Sequence, residues 1–387
     1  MDVPFSAAVS PRNEFVAASG AIGIGRFVGM EHVESRTGKR IGSAEIDLAK
    51  TSGSKQIFRR GDIVFGRLRP NLNKVWLAEF DGYCSVDQTV LVVRRGFDSL
   101  FVSLFMRSSR FRDQVRPLVR GELPRIRTRE LLGLSIHAPS LGEQREIADR
   151  LNLQLTAADR IKDAANARLG TIPALRRSIL NAVLAAAEPA PTKRLGDVSV
   201  FVTDGTHQPP PLSAAGVPFL FVRDIVGGAL DLDRVRQFVS DETFDALTKR
   251  RRPERGDVLY SAVGSFGVAV EVDTDRRFTF QRHIAHVRPD RSQISPAFLA
   301  AVLNSRLGRS QSNDAAVGGA QKTVTLGALA DFQIPVPGLK SQEILMQSLD
   351  ARLYALEHLA QVVAPAIPAV AALSDALLSR SFTSLSA

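Results

Sequence analysis

The sequence predicts an α+β protein, two similar β-rich domains joined by two long helices packed as an antiparallel coiled coil, an internal pseudo-repeat. Three observations predict it. The 387 residues exceed what one hydrophobic core ordinarily organises. The segment "PSLGEQREIADRL" (139–151) returns about two hundred residues later as "PGLKSQEILMQSL" (337–349). Both copies stand at the same place, after a stretch of short β-type runs and at the entrance to a long amphipathic pattern.

The elements follow in order. The opening "MDVPFSAAVSPRNEF" has no basic start leading into an apolar stretch, so no signal peptide is expected. The segment before Gly20 is hard to place in the repeat. "FVGMEHV" from Phe27 then faces "FLFVRDI" from Phe219, the loosest part of the alignment. "RRGDIVFGRLRPNLNKVWLAEF" (59–80) matches "ERGDVLYSAVGSFGVAVEV" (254–272), with Gly61 over Gly256 at an offset of 195. The runs "DIVFGRL", "TVLVVRR", "DVLYSAV" and "IAHVRPD", broken by Gly, Pro, Asn and Asp, read as strands. "SLFVSLFMRSSRFRDQV" and "PAFLAAVLNSRLGRSQ" read as short helices between them. "GELPRIRTRELLGLSIHAP" (121–139) matches "GAQKTVTLGALADFQIPVP" (319–337) at an offset of 198. That offset persists through the helix entrances to "ALRRSILNAVL" from Ala174 and "ALSDALLSRSF" from Ala372.

Each helix entrance carries its own signals. Pro139 ends a strand, and Ser140 with Glu143 forms an S-x-x-E capping box. Ile147, Leu151, Leu155, Ala158 and Ile161 or Lys162 fall near a helical spacing, and the first four make one apolar stripe. In the second copy Gly338 takes the cap position and Ser341 replaces the glutamate, but Leu345, Leu349, Leu353, Leu356 and Val363 keep the stripe. Gly170 with Pro173, and Pro365 with Pro368, are expected to interrupt the two helices, with a short apolar helix after each break. Two singly striped helices in one chain are expected to pair. A helix of about 25 residues spans roughly 38 Å, close to one turn of B-DNA at about 34–36 Å. The expected domains are 1–139, a helical spacer 140–190, 191–337 and a second spacer 338–387.

Composition narrows the function. The chain is 44% apolar and 23% charged, as in ordinary soluble globular proteins. No run of eighteen uncharged apolar residues occurs, so neither a membrane span nor a membrane partner is expected. Cys84 is the only cysteine, which excludes an internal disulfide and a C-x-x-C zinc site and suits a reducing cytoplasm. It reads as a buried structural thiol. The net charge of +10 and a pI near 10.2 draw the chain to polyanions. Eight arginines stand from Arg107 to Arg129 against Asp113 and Glu122, and a second basic run is "KRRRPER" (249–255). Arginine forks onto phosphate and onto guanine edges.

Candidate contacts come from the polar stretches. In "RLRPNLNK" (67–74), Arg67, Arg69 and Lys74 suit phosphate or guanine, and Asn71 and Asn73 suit adenine. The same composition also suits a hairpin turn with solvated ends. "RGELPRIR" supplies Arg120, Arg125 and Arg127, and its counterpart supplies Gln321 and Lys322, as two readers of different sequences would. In "TDGTHQPPP" (203–211), Thr206, His207 and Gln208 form a polar loop suited to backbone or base contact. His207 has only Asp204 near it at ligand spacing, far short of a metal site. His283 and His286 fall on opposite faces of a strand, so no metal is assigned there either. Trp76 reads as packing rather than base stacking. "GAIGIGRF" is an incomplete dinucleotide fingerprint, and neither GxxxxGK[ST] nor [ND]-P-P-[FY] occurs, so no catalytic residue is assigned.

These residues, in this order, resemble the specificity (S) subunit of type I restriction–modification systems over nearly the whole chain. "IHAPSLGEQ" and "IPVPGLKSQ" repeat the I-x-x-P-x-L-x-x-Q pattern that opens each spacer of that family. "GDIVFGRLRPNLNKV" and "TDGTHQPP…GVPFLFVRDI" resemble its target-recognition domains. Ser341 departs from the pattern. The resemblance implies a non-catalytic, sequence-specific DNA-binding subunit that reads an asymmetric bipartite target in double-stranded DNA, one half per domain. It implies docking of two methyltransferase (M) subunits and of endonuclease/translocase (R) subunits. S-adenosylmethionine, ATP and magnesium are then expected in the partners, and no cofactor in this chain. The spacer and docking residues it implies are Glu143, Gln144, Ile147, Leu151 and Leu155 in the first helix. In the second they are Gln342, Leu345, Leu349, Leu353 and Leu356. The alternative is a protein-assembly scaffold with only non-specific DNA contact.

Overall fold

The computed structural model describes residues 2–16, 23–47, 50, 53–119, 122–186, 189–319 and 321–383. They fall into two units, Met1–Ala167 with Val363–Ala387, and Arg168–Val362. Each unit takes one lobe, the first part of the helix that follows it, and the last part of the helix that follows the other lobe.

In the first unit the N-terminus is built into the lobe. Asp2–Pro4 pairs antiparallel with Ser135–His137, Phe5–Ala8 makes one helical turn, and Val9–Pro11 joins a sheet edge. That sheet has four antiparallel strands in the order Val9–Pro11, Gln88–Val93, Ile63–Gly66, Val75–Leu77. A second sheet orders Phe15–Val16, Lys55–Phe58, Gly82–Cys84, Ile24–Val28 and Ala44–Asp47. Helices Ser99–Arg107 and Ser109–Val115 begin at Asp98 and Ser108, whose side chains accept from the amides of Phe101 and Phe111. Their apolar faces meet the first sheet in a core of Phe5, Phe65, Phe101, Phe105 and Phe111. Ile147, Leu151 and Leu155 from the first long helix and Leu378 and Phe382 from the last helix close it.

The second unit repeats the plan. Thr192–Arg194 pairs with Gln333–Pro335, and the four-stranded sheet runs Ser199–Asp204, Ile284–Pro289, Val258–Ser261, Ala269–Glu271. Helices Pro296–Asn304 and Arg306–Ala315 are capped by Ser295 and Ser305. The loosest alignment holds in three dimensions. Phe27 and Val28 pair in parallel with Tyr83 and Cys84, as Phe219 and Leu220 do with Thr279 and Phe280. The segment before Gly20 also finds its place. The Phe5 amide donates to the Leu134 carbonyl at 2.6 Å, and the Leu195 amide to that of Phe332 at 2.8 Å. Residues 2–11 therefore correspond to 192–204, hidden in sequence because a three-residue strand carries no periodicity.

The first long helix corrects one expectation: Leu141–Ala185 is unbroken through Gly170 and Pro173. The proline removes only the bond to the carbonyl of Leu169. Pro173 lies on the exposed side, and the neighbouring carbonyl of Arg168 accepts from Thr171 Oγ1 at 2.7 Å. The second helix does break, into Leu339–Val363 and Ala366–Thr383. Pro365 lies in the break, and Pro368 sits in the next first turn, where no intrahelical donor is needed. In the second unit Ile179, Leu180 and Val183 pack with Leu345, Met346, Leu349 and Leu353. Arg176 pairs with Glu357, so numbers rise on one helix as they fall on the other, and the pair is antiparallel. Along the first stripe Ile147, Leu151, Leu155 and Ala158 are buried, Ile161 is exposed, and burial resumes at Ala165.

The stretch Leu339–Thr383 is long and apolar enough to cross a membrane by length and composition, with a mean hydropathy of 1.7 over its best window. Isolated charged residues within it leave no eighteen-residue run that is wholly uncharged. In the first unit its Val370, Leu378 and Phe382 are buried.

Candidate nucleic-acid interface

In each lobe a hairpin tip is held against the segment that leads to the long helix. In the first, the Gly66 amide donates to the Lys74 carbonyl at 2.9 Å, and Arg69 and Asn73 turn the chain at φ of 50° and 49°. The tip runs antiparallel to 124–126. Arg69 N–H donates to the Pro124 carbonyl at 2.7 Å, Ile126 N–H to that of Arg67 at 3.1 Å, and Leu68 stands opposite Arg125. The stretches "RLRPNLNK" and "RGELPRIR", fifty residues apart in sequence, thus share one rim with Arg67, Arg69, Arg125 and Arg127 on it.

These candidates are not equivalent. Arg67 Nε donates to the Val86 carbonyl at 3.1 Å, and Arg125 pairs with Asp87 at 2.7 Å. Lys74 Nζ donates to the Met30 carbonyl at 2.6 Å. Asn73 is 1% exposed; its Nδ2 donates to the Met106 carbonyl at 2.8 Å, so its amide is engaged inside the lobe. Arg69, Asn71 and Arg127 are exposed. The guanidinium of Arg69 makes no hydrogen bond or ion pair among the described residues. Arg120 lies outside them.

The second lobe builds the same tip from other residues. Ser261 N–H donates to the Val268 carbonyl at 2.8 Å, and Gly264 N–H to that of Lys322 at 3.0 Å. Val263 stands opposite Thr323, and Val324 N–H closes on the Ala262 carbonyl at 2.8 Å. The left-handed positions are now Gly264 and Gly267, at φ of 73° and 86°. Gln321 and Lys322 are exposed beside them. Thr206 Oγ1 donates to the Gln208 carbonyl at 2.9 Å, and His207 Nε2 lies 2.9 Å from Asp204. His207 and Gln208 are exposed on this loop. Thr206 joins Arg250 and Arg251 in the wall of a groove of about 490 Å³. Arg251 also lies over the ring of Phe201, 4.7 Å from its centroid.

Beneath each tip the repeated Gly-Asp pair does structural work that sequence reasoning overlooked. Asp62 accepts the Arg59 amide at 2.8 Å and Arg12 Nε at 2.7 Å. Asp257 accepts the Glu254 amide at 2.9 Å, Arg288 Nε at 2.8 Å and His286 Nε2 at 2.6 Å. Burial works to raise the Asp257 carboxyl, but the bonds from Arg288 and His286 outweigh it and hold the group down at about 2. The recurrence of Gly-Asp at 61–62 and 256–257 was the available signal. His286, half of the H-x-x-H pattern, is committed to this carboxylate and packs edge-on against Phe201 and Phe280. Burial pushes the Cys84 thiol up to about 12. Trp76 is packed against Phe58 and Phe80, with ring centroids 5.3 and 5.5 Å away.

The long helices are anchored to the lobes by the glutamine of the repeated motif. Gln144 accepts the amide of Asp98 at 2.9 Å and donates to the carbonyls of Gly96 at 3.1 Å and Pro139 at 2.9 Å. Gln342 accepts the amide of Ser295 at 2.8 Å and donates to the carbonyls of Gln293 at 2.9 Å and Pro337 at 2.8 Å. Both are buried, at 1% and 0% exposure. At the first entrance the capping box forms: Ser140 N–H donates to Glu143 at 2.9 Å and Glu143 N–H to Ser140 Oγ at 3.3 Å. Leu349 and Leu356 are buried, and Leu345 and Leu353 half-buried, along the second stripe.

No family model matches the chain. It is similar to the type I restriction enzyme EcoDI specificity subunit of Escherichia coli, 33% identical over 150 residues, 38% of this chain and 33% of that protein. It is 25% identical to the EcoBI specificity subunit of the same organism over 285 residues, 66% of this chain and 59% of that one. The StySPI specificity subunit of Salmonella potsdam is 23% identical over 366 residues, 89% of this chain and 75% of that protein. The chain thus spans a third to three-fifths of the length of the first two relatives. A solved chain of a type I R-M system shares the fold with a TM-score of 0.78 at 20% identity, covering 99% of this chain and 97% of that one. The HsdS subunit from Thermoanaerobacter tengcongensis gives 0.60 at 19% identity, covering 99% and 96%. The chain is thus similar in sequence to type I restriction specificity subunits and shares its fold end to end with these two solved chains.

Proposed function

We propose that the chain is the DNA-reading subunit of a type I restriction–modification complex, acting without catalysis of its own in the cytoplasm. Residues 1–139 and 191–337 are its two target-recognition domains, and 140–190 and 338–387 are its spacers. Each domain reads one half of an asymmetric bipartite target in double-stranded DNA, and the helices fix the gap. Two methyltransferase subunits carrying S-adenosylmethionine dock on the helices, and translocase–endonuclease subunits join with ATP and magnesium. One observation supports this reading above the others. The same hairpin tip, closed against the same following segment, occurs in both lobes with different polar side chains on its rim. A fixed frame with variable tips is what two readers of unlike half-sites require.

The test is binding of the chain with its methyltransferase partner to duplexes carrying the methylated motif of the source genome, against random duplexes, at several salt concentrations. Specific readout keeps a large affinity ratio at every salt. Affinity that falls alike for all sequences means phosphate contact alone, and the reading then gives way to a scaffold.

A further inference from the structure

The two tips differ in a way that assigns individual readers. Position 69 is left-handed, at φ 50° and ψ 57°, and it is an arginine. That conformation is unfavourable for a side-chain-bearing residue and recurs where function demands it. The backbone does not ask for arginine, because the second lobe makes the same turn with Gly264. The fold does not use the side chain either, for Arg69 is exposed and unpartnered among the described residues while Arg67, Lys74 and Arg125 are held. In the second lobe Gly264 carries no side chain, and Gln321 from the adjoining segment comes up beside it. Its Nε2 lies 3.6 Å from where a Cβ on Gly264 would stand.

We infer that each lobe has one principal base-reading position at its hairpin tip, filled from opposite sides: by Arg69 from the hairpin in the first lobe and by Gln321 from the adjoining segment in the second. The chemistry of the two side chains sets the bases. Arginine forks onto guanine O6 and N7, and glutamine onto adenine N6 and N7, both in the major groove. The first half-site then contains a guanine and the second an adenine at the positions these residues meet. This assignment rests on the DNA-reading function proposed above.

The experiment measures binding of the full chain with its methyltransferase partner to duplexes substituted one base pair at a time through both half-sites. Wild type is compared with Arg69→Gly, Arg69→Lys and Gln321→Ala. Arg69→Gly is expected to lower cognate affinity about 10- to 100-fold, to change random-duplex binding little, and to make one guanine of the first half-site replaceable. Arg69→Lys, which keeps the charge and loses the fork, is expected to relax the same position. Gln321→Ala is expected to free one adenine in the second half-site only. Three results overturn the assignment: equal losses on cognate and random duplexes, Arg69→Lys reading like wild type, or Gln321→Ala leaving every position as strict as before. A lowered thermal midpoint for Arg69→Gly would make the arginine structural and overturn it too. Should wild type itself fail to prefer the cognate duplex, the DNA-reading function is what fails.

Discussion

Asp257 is a fully buried carboxylate, and its lone charge would be prohibitive without Arg288 and His286 around it. Its folded pKa of about 2 lies below the ordinary carboxylate range. The stabilisation is therefore complete above about pH 4 and is lost as pH falls through about 2, a contribution on the order of 2 kcal/mol. Urea unfolding at pH 7, 4 and 2.5 should show this loss in wild type and a flatter dependence in Asp257→Asn. The substitution should itself cost about 1–3 kcal/mol at pH 7, since it weakens the buried bonds to His286 and Arg288, while Arg288 keeps Glu254 and the Arg252 carbonyl. Cys84 gives a second check at this scale. A buried thiol raised to about 12 holds almost no thiolate at pH 8. The native chain should leave a thiol reagent unreacted at that pH and take up one equivalent on unfolding. Such roles were only half legible. "GD" at 61–62 and 256–257 was visible as a repeat, but Arg12 reaches its carboxylate from just after the Val9–Pro11 strand and Arg288 from within Ile284–Pro289, and no repeat in sequence marks that.

At the scale of elements, the two helix entrances show what a motif can and cannot reveal. Ser140 and Glu143 were readable as a capping box because their partners lie three residues apart. Gln144 and Gln342 were readable only as repeated letters, because two of the three partners of each stand 46 to 49 residues away. Each amide joins a long helix to the N-cap of a short lobe helix, at Asp98 or Ser295. Ser140→Ala removes one exposed cap bond and should cost about 1 kcal/mol. Gln144→Ala leaves the part-buried Asp98 amide and two carbonyls without this partner, and should cost about 2–3 kcal/mol. Chemical denaturation of the two variants should give that order; equal costs would mean the glutamine is no more than a second cap. Asn73 was misread for a related reason: in sequence it sits in a polar turn, yet its amide is turned inward onto Met106. Pro173 was over-read, since an exposed proline in a long helix removes one bond without ending it.

At the scale of the molecule, the pairing of the helices decides how a spacer test must be designed. In the first unit Leu151 and Leu155 pack with Leu378 and Phe382, and in the second Ile179 and Val183 pack with Leu349 and Leu353. Both helices therefore contribute to both units. Removing four residues from Glu143–Arg168 alone would leave every later contact of the first helix off register with the second. The two buried residues of the second unit's pair, Val183 and Leu349, at about 1.5–3 kcal/mol each if exposed, would be at risk. A matched removal of one turn from each helix, after Ala165 in the first and around the break at 364–365 in the second, keeps the register on both sides. On the proposed function, the matched variant should fold with a thermal midpoint near wild type and prefer a target whose gap is shorter by about two base pairs, since one turn is about 5.4 Å and a DNA step about 3.4 Å. The single-helix variant should instead lose stability. Binding selected from duplexes with gaps of every length measures the shift, and an unchanged gap in a well-folded matched variant would remove the helices from the task of setting it.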